Sequence, residues 1–381
     1  MESVGVDEMS ESIIPGLPND LALRCLAMIS HGYHGLLECV SKRWKHAIRS
    51  KDYAHLKAKA GWSGDWLFVL GSNNPAMWLA YDPDADSWHP LPAMPGPTSD
   101  EEFCRFSCAS ICNKFLVIGG CYIPRSTVWS ETNLSEVNSV TVFDPFKKQW
   151  SSATSMSTKR IDFACTAIGE KVYVAGGRNS DNLQGLASAQ VYDPHLDLWE
   201  DLPSMPFPLI DCFSISHGGE FHVVGTKIHN FRQDAYVIFN PLMRKWRVME
   251  NFEPICELSR HSTTVLGSNI YHILADGTVT VMTTDQMVWH ELCAYPPVVL
   301  RGHNRQLRSF GFGFAASRKH IYVIGGLTLK YNTNNFTYVT VKLKTTKFCN
   351  ITTLPLEWKD VKSMPIEVGH ICGCAFLEEQ S

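Results

Sequence analysis

The sequence predicts an all-β propeller of six four-stranded blades, closed by the C-terminal strand and preceded by a small α-helical module. Three observations carry that prediction. A frame of four short β-rich runs separated by turn residues recurs from about residue 62 onward, each copy carrying a tryptophan: Trp88, Trp150, Trp199, Trp246, Trp289 and Trp358. The first copy lacks an opening run, and the chain finishes on a run that no copy claims, His370–Phe376. Ahead of the repeats, apolar residues fall at helical spacing instead.

Composition sets the outer bounds. A chain of 381 residues suits one large repeat domain with a small appendage. With 45% hydrophobic and 19% charged residues, it has apolar material for a sizeable core and is not globally disordered. Eleven Trp favour β structure. The net charge of −4 comes without a basic run or a basic-aromatic patch, which argues against nucleic acid. No apolar stretch approaches the roughly 18 residues of a spanning helix, so no membrane partner is expected.

Thirteen cysteines do not read as a secreted disulfide framework. The count is odd, the chain is long, and the N-terminal stretch has no basic segment leading into an apolar one. Several sit inside apolar runs, as Cys165 does, where the thiol is a small core group. The expectation is a reducing compartment, cytoplasm or nucleus, where the sequons at Asn133, Asn335 and Asn350 are chance matches. Cys104, Cys108 and Cys112 are spaced by fours, but in or near a strand such spacing holds same-face residues too far apart for one zinc ion. Cys372 and Cys374 lack a second ligand pair. No metal or cofactor is expected.

Residues 1–11 read as a disordered N-terminus and 12–58 as the helical module. A turn and an Asn19/Asp20 capping signal precede Leu21, Cys25 or Leu26, and Ile29 at helical spacing. A break follows at Ser30–Tyr33, then a second helical piece over Leu36–Val40. Ser41 caps a third, carrying Trp44, Ile48 and Tyr53. Three short helices bury little surface alone and are expected to lean on a partner.

Residues 62–381 carry the repeats. In the clearest copy Phe163–Ile168, Val172–Gly177, Ala189–Pro194 and Trp199–Pro203 are the four runs. The second run is apolar throughout, as a strand buried on both faces requires. Its glycine pair permits positive φ and close backbone approach where the strand leaves the sheet. Asp-Pro or Asn-Pro opens a turn, and the Trp fills the wedge between neighbouring sheets. Gly225-Thr226 and Leu274-Ala275 depart from the double glycine, leaving the geometry of those copies open. The closing run His370–Phe376 is expected to supply the innermost strand of the first copy, removing the open edges of the ring.

The double glycine, the Asp-Pro turn and the spaced Trp resemble the kelch repeat, over roughly the last four-fifths of the chain. Leu17-Pro18, Asp20-Leu21 and the Cys39–Trp44 stretch resemble the F-box motif. The combined resemblance, to the plant-type F-box/kelch-repeat family, implies a substrate-recognition subunit of a Skp–cullin–F-box ubiquitin ligase. It implies a Skp-family adaptor as partner, a cullin-RING ligase through it, and an unidentified protein as the target. Leu17, Pro18, Asp20, Leu21, Val40, Ser41 and Trp44 are then the adaptor-contact residues, although Trp44 fits a packing role within the module better. No Gly-x-Ser-x-Gly elbow, phosphate-binding loop or zinc-protease pattern points to an enzyme. A non-ligase kelch scaffold is the chief alternative, and a propeller enzyme a remoter one resting on fold analogy.

Aligning the copies puts Arg105, Asp162, Asp211, Arg260 and His370 at the mouth of the innermost strands, with Arg160, Arg178, His261 and Arg308 near them in sequence. Taken singly, each is accounted for as a solvated turn residue. As a set they form the candidate substrate-binding rim, and the loops 121–139 and 178–188 are candidates for specificity.

Overall fold

The computed structural model describes residues 12–60, 64–72, 78–96, 100–125, 134–228, 232–249, 262–274, 278–283, 288–292, 300–302, 305–307, 309–332, 337–353 and 355–377. The expected N-terminal tail and three of the rim residues, Arg260, His261 and Arg308, lie outside them.

The module holds four α-helices, α1 (Asn19–Ala27), α2 (His34–Val40), α3 (Lys42–Ile48) and α4 (Lys51–Lys59), with a 3-10 turn at His31–Tyr33. Ser41 caps α3 as expected, accepting from the Trp44 N–H at 3.0 Å. Two details differ from the sequence reading. Asn19 does not cap α1; its Oδ1 accepts from the Ile13 N–H at 2.7 Å and pins the incoming chain. The third helix stops at Ile48, because Ser50 accepts from the Tyr53 N–H at 3.1 Å and caps a fourth. Tyr53 thereby enters a small core with Leu26, Ala27 and Ile48. The buried Lys57 of α4 donates to the Ala27 and Ile29 carbonyls, satisfying the end of α1.

The described residues form six four-stranded antiparallel sheets in the predicted order. In blade 1 the last strand, Ile371–Leu377, is innermost and pairs with Trp66–Gly71, with Trp66 opposite Leu377 and Phe68 opposite Ala375. Leu79–Asp82 and Ser87–Pro90 complete that blade. The innermost strands of blades 2, 3, 4, 5 and 6 are Ser107–Ile111, Ala164–Ile168, Ile210–His217, Thr263–Leu266 and Gly313–Ser317. Second strands such as Lys171–Ala175 are buried past their first residue, as their unbroken apolar runs require.

Where the second strand of blades 2, 3 and 6 reaches the mouth, a glycine pair turns it. Gly177 has φ +79°, and a Cβ there would lie 2.5 Å from the Ile161 carbonyl oxygen. In blade 4, Thr226 follows Gly225 and no turn occurs. The strand runs straight on as Glu220–Ile228, paired along its length with Arg232–Asn240. The departure from the repeat is therefore a hairpin standing above the ring.

Blades 2 and 6 also rise on that side, by separate three-stranded extensions. Blade 2 adds Glu101–Cys104, Cys121–Pro124 and Ser135–Glu136; blade 6 adds Ser309–Phe310, Leu327–Asn332 and Thr337–Lys342. Alternate blades thus carry walls around the mouth.

The helical module sits on the opposite side, against the turns that join third to fourth strands in blades 1 and 2. Ser30 donates to the Asp82 carboxylate, Gly32 lies against the His89 ring, and the His31 ring meets Phe146 edge-on at 4.4 Å. Asp65, leading into the first strand, accepts from Arg318 at 2.6 Å and from Ser317 at 2.9 Å, tying the start of the propeller to blade 6.

Candidate functional site

Two surfaces on opposite sides of the ring are candidates. The first is on the helical module. Its core is closed, yet Leu21, Met28, Leu36 and Val40 remain 44%, 65%, 69% and 60% exposed, with Pro18, Asp20 and Ser41 also open and Leu17 half-buried. Leu26, Ala22 and Ala27 turn inward from the same helix. Of the predicted contact residues, Trp44 is the one already committed: half-buried, it donates its indole N–H to the Ile13 carbonyl at 2.8 Å. Met28 and Leu36 were not among the expected contact residues, because Met28 carries no periodic signal and Leu36 reads only as part of a helical run.

The seam behind that surface is built from imidazoles. His31 and His34 are buried with ring centroids 4.6 Å apart, and His34 Nε2 meets the Tyr53 hydroxyl at 2.7 Å. His89 lies between Trp66 and Tyr33, tilted to the first at 5.4 Å and edge-on to the second at 5.6 Å. Burial, with Lys57 and Lys148 adding repulsion, pushes His34 down to about 3. Burial likewise holds His31 well below its usual value, and lowers His89. All three are neutral groups of the joint.

The second surface is the mouth. Arg105 and Asp162 precede the innermost strands of blades 2 and 3, and Asp211 falls at the equivalent point, the register break near the start of the blade 4 strand; each is in the left-handed region, with φ of 58°, 52° and 49°. Arg105 and Asp162 form an ion pair at 3.2 Å, and the Asp162 N–H donates to the Arg105 carbonyl at 3.2 Å. The same backbone position belongs to Gly311 in blade 6 and Gly369 in blade 1, with φ of 62° and 73°. His370 is therefore one residue inside the rim position assigned from sequence, and its ring packs on Gly311. The left-handed conformation was the signal for this shift, since glycine adopts it without steric cost.

Arg160 requires a larger correction. It is wholly buried, its guanidinium donating to the Gly176 and Ser188 carbonyls and the Ser188 hydroxyl at 2.9, 3.0 and 2.8 Å. Burial lowers it to about 10. It braces the glycine turn of blade 3 and is out of a partner's reach. Arg178 lies beside it, its backbone bridging to Ile161.

Below the mouth, the six innermost strands enclose a cavity of about 520 Å³. Cys108, Cys165 and Cys374 line it, and burial raises Cys165 and Cys374 to about 12, as packed thiols. Cys104, by contrast, lies outside it, with its sulfur 3.9 Å from that of Cys121. Among the described residues no three His, Cys, Asp or Glu side chains converge as a metal site, and no helix is long and apolar enough to cross a membrane.

Comparison with known proteins agrees with this geometry. The F-box domain family matches residues 14–55, spanning the helical module, and the Kelch motif family matches residues 159–206, blade 3. The F-box/kelch-repeat protein At1g16250 of Arabidopsis thaliana is 43% identical over 381 residues, covering 99% of this chain and 100% of that one. The Arabidopsis F-box/kelch-repeat protein At1g67480 is 30% identical over 220 residues, covering 57% of this chain and 56% of its own. Among solved structures, YjhT superposes with a TM-score of 0.51 over 72% of this chain and 86% of its own, at 14% identity, a likeness of fold alone. With the helical module, the six kelch-type blades and a full-length relative in agreement, this chain belongs to the F-box/kelch-repeat proteins and has the architecture of an F-box substrate adaptor.

Proposed function

We propose that this chain is the substrate-recognition subunit of a Skp–cullin–F-box ubiquitin ligase, acting in the cytoplasm or nucleus. The helical module docks on a Skp-family adaptor and through it on a cullin-RING core. The propeller mouth holds a protein target. One observation carries the reading: Leu21, Met28, Leu36 and Val40 stay open on a module whose own core is already filled. An apolar patch of this kind is stabilised by a partner surface and is a liability without one.

The division of labour follows from the two faces. Ubiquitin transfer chemistry resides in the other subunits, and this chain contributes proximity and orientation. The buried imidazole seam fixes the module against blades 1 and 2, so the mouth is presented at a set angle to whatever holds the module.

The test is a binding measurement between a purified Skp-family adaptor and the full chain, beside Leu17→Ala/Pro18→Ala and Leu21→Ala/Leu36→Ala variants. Tight wild-type binding, weakened in each double variant by about 2–4 kcal/mol, supports the role. No binding by a folded wild-type chain removes it and leaves a kelch scaffold in its place.

A further inference from the structure

The ladder register aligns the innermost strands level by level around the channel. Thr166 pairs opposite Tyr173, Thr264 opposite Tyr271, Ala315 opposite Tyr322 and Ala375 opposite Phe68. These four therefore hold one repeat position, on blades 3, 5, 6 and 1, and all of them line the cavity of about 520 Å³. A second cavity of about 440 Å³ shares Thr166, Ser214 and Val265 with it and reaches Arg318 on the module side.

The wall of the larger cavity is two-faced. Blades 6 and 1 give it Phe314, Ala315, Ala316, Ala375 and Phe376, and no described lining side chain from those blades carries a hydroxyl, an amide or a charge. Blades 2 to 5 bring the hydroxyls of Ser107, Thr166, Ser214, Thr263 and Thr264. Blades 3 and 4 lie across the ring from 6 and 1, so hydroxyls confront an apolar arc. Ser107 donates to the Phe163 carbonyl at 3.0 Å, Ser214 to the Cys165 carbonyl at 2.7 Å, and Thr263 lies 3.2 Å from His272 Nδ1. The Thr166 and Thr264 hydroxyls make no hydrogen bond to a described residue.

These features select a class of ligand. No described residue lining this cavity is charged, and burial, which raises Cys165 and Cys374 to about 12, keeps those thiols protonated. An ion entering would give up its hydration without a counter-charge. Water against blades 6 and 1 meets no hydroxyl, amide or charged side chain, and its displacement by an apolar group is favourable. The volume is that of a small-molecule site, in which a few placed polar groups orient a ligand on an apolar lining.

We propose that the channel binds an uncharged, hydroxylated ring compound, with its apolar face on blades 6 and 1 and its hydroxyl on Thr166 and Thr264. The inference goes beyond adaptor and target binding and needs neither.

The probe is naphthol, an apolar bicycle with one hydroxyl, measured by equilibrium dialysis against the full chain near neutral pH, beside naphthalene and naphthoate. The expected result is naphthol bound with a dissociation constant under about 1 mM and naphthoate at least about tenfold more weakly. Thr166→Val/Thr264→Val keeps the shape of the wall and removes both hydroxyls. It should weaken naphthol at least about threefold and leave naphthalene unchanged. Ala375→Leu narrows the space from the other side and should weaken both compounds. Thermal unfolding at the wild-type temperature shows that each variant is folded. No naphthol binding at about 1 mM, naphthoate held as tightly, naphthalene weakened equally by the double variant, or naphthol affinity unmoved in either folded variant overturns the proposal.

Discussion

Trp88, on the outer strand of blade 1, donates its indole N–H to the carbonyl of Lys362 at 2.6 Å, across 274 positions of sequence. The Lys362 N–H returns a bond to Asp86 at 2.9 Å, and Asp86 also accepts from the Tyr81 hydroxyl. Blade 3 repeats the arrangement between consecutive blades. Trp199 donates to the Thr154 carbonyl, the Thr154 N–H donates to Asp197, and Tyr192 completes the set. Trp150 and Trp246 make the same indole bond, to Pro92 and Pro203. The junction of the last blade with the first is thus built like those of blades 2, 3 and 4 with the blades before them.

Replacing Trp88 by Phe keeps most of the buried ring and leaves the Lys362 carbonyl without its donor. The expected cost is about 1 kcal/mol in urea unfolding, and Trp199→Phe should match it. A much larger loss for Trp88 alone would mean that closure is weaker than the other junctions.

Deleting residues 368–381 removes the innermost strand of blade 1 and bares the edge of Trp66–Gly71. The expected outcome is insoluble or aggregated protein on size-exclusion chromatography. A soluble truncation that unfolds cooperatively would refute this closure.

Gly177→Ala brings a methyl group against the Ile161 carbonyl and forces a left-handed alanine, whereas Gly218→Ala, at φ +58° with open space around it, meets only the second problem. The expected losses are about 3 kcal/mol or more at Gly177 and about 1–2 kcal/mol at Gly218, read by chemical denaturation.

Acid should loosen the seam between module and propeller. His34 is held at about 3 in the folded chain against a usual 6.5, so the unfolded chain takes up the proton first. Its contribution is complete above pH 6.5, falls as the pH drops below that, and amounts to a loss of about 2 kcal/mol at pH 5. His31 acts in the same direction. Thermal unfolding at pH 7.5 and 5 should show the drop, and His31→Phe, which packs on the same rings, should reduce it.

Arg160→Met should cost about 2–4 kcal/mol, since it leaves the buried Gly176 carbonyl without its donor and removes two bonds to Ser188, and should leave any mouth-bound partner's affinity unchanged. Arg105→Ala should shift stability by less than about 1 kcal/mol, because its ion pair with Asp162 is partly solvated. Denaturation and partner titration of the two variants separate bracing from recognition.

The fold was legible because the blades repeat one physical problem: a doubly buried second strand throughout, a glycine-pair turn with positive φ in blades 2, 3 and 6, and an indole reaching the preceding blade in blades 1 to 4. Closure was legible from one unmatched run. What escaped was where local detail overrode the repeat. Ser50 restarts a helix that periodicity alone runs together, and Thr226 turns a loop into a hairpin. Arg160 looked like a surface charge because sequence does not report the two carbonyls and the hydroxyl that its Nη groups meet inside. His370 was misplaced by one position because its frame is set by backbone handedness at Gly369. The three rim residues at 260, 261 and 308 lie outside the described residues.

The pairing of Trp66–Gly71 with Ile371–Leu377 also sets a timetable for synthesis. The strand that needs a neighbour leaves the ribosome about 300 residues before that neighbour exists, a wait of roughly 15–60 s at ordinary translation rates. Through that interval the nascent chain carries an unsealed apolar edge beside a finished helical module. Chaperone capture of half-made chains, rather than the stability of the completed ring, then decides how much protein a cell obtains.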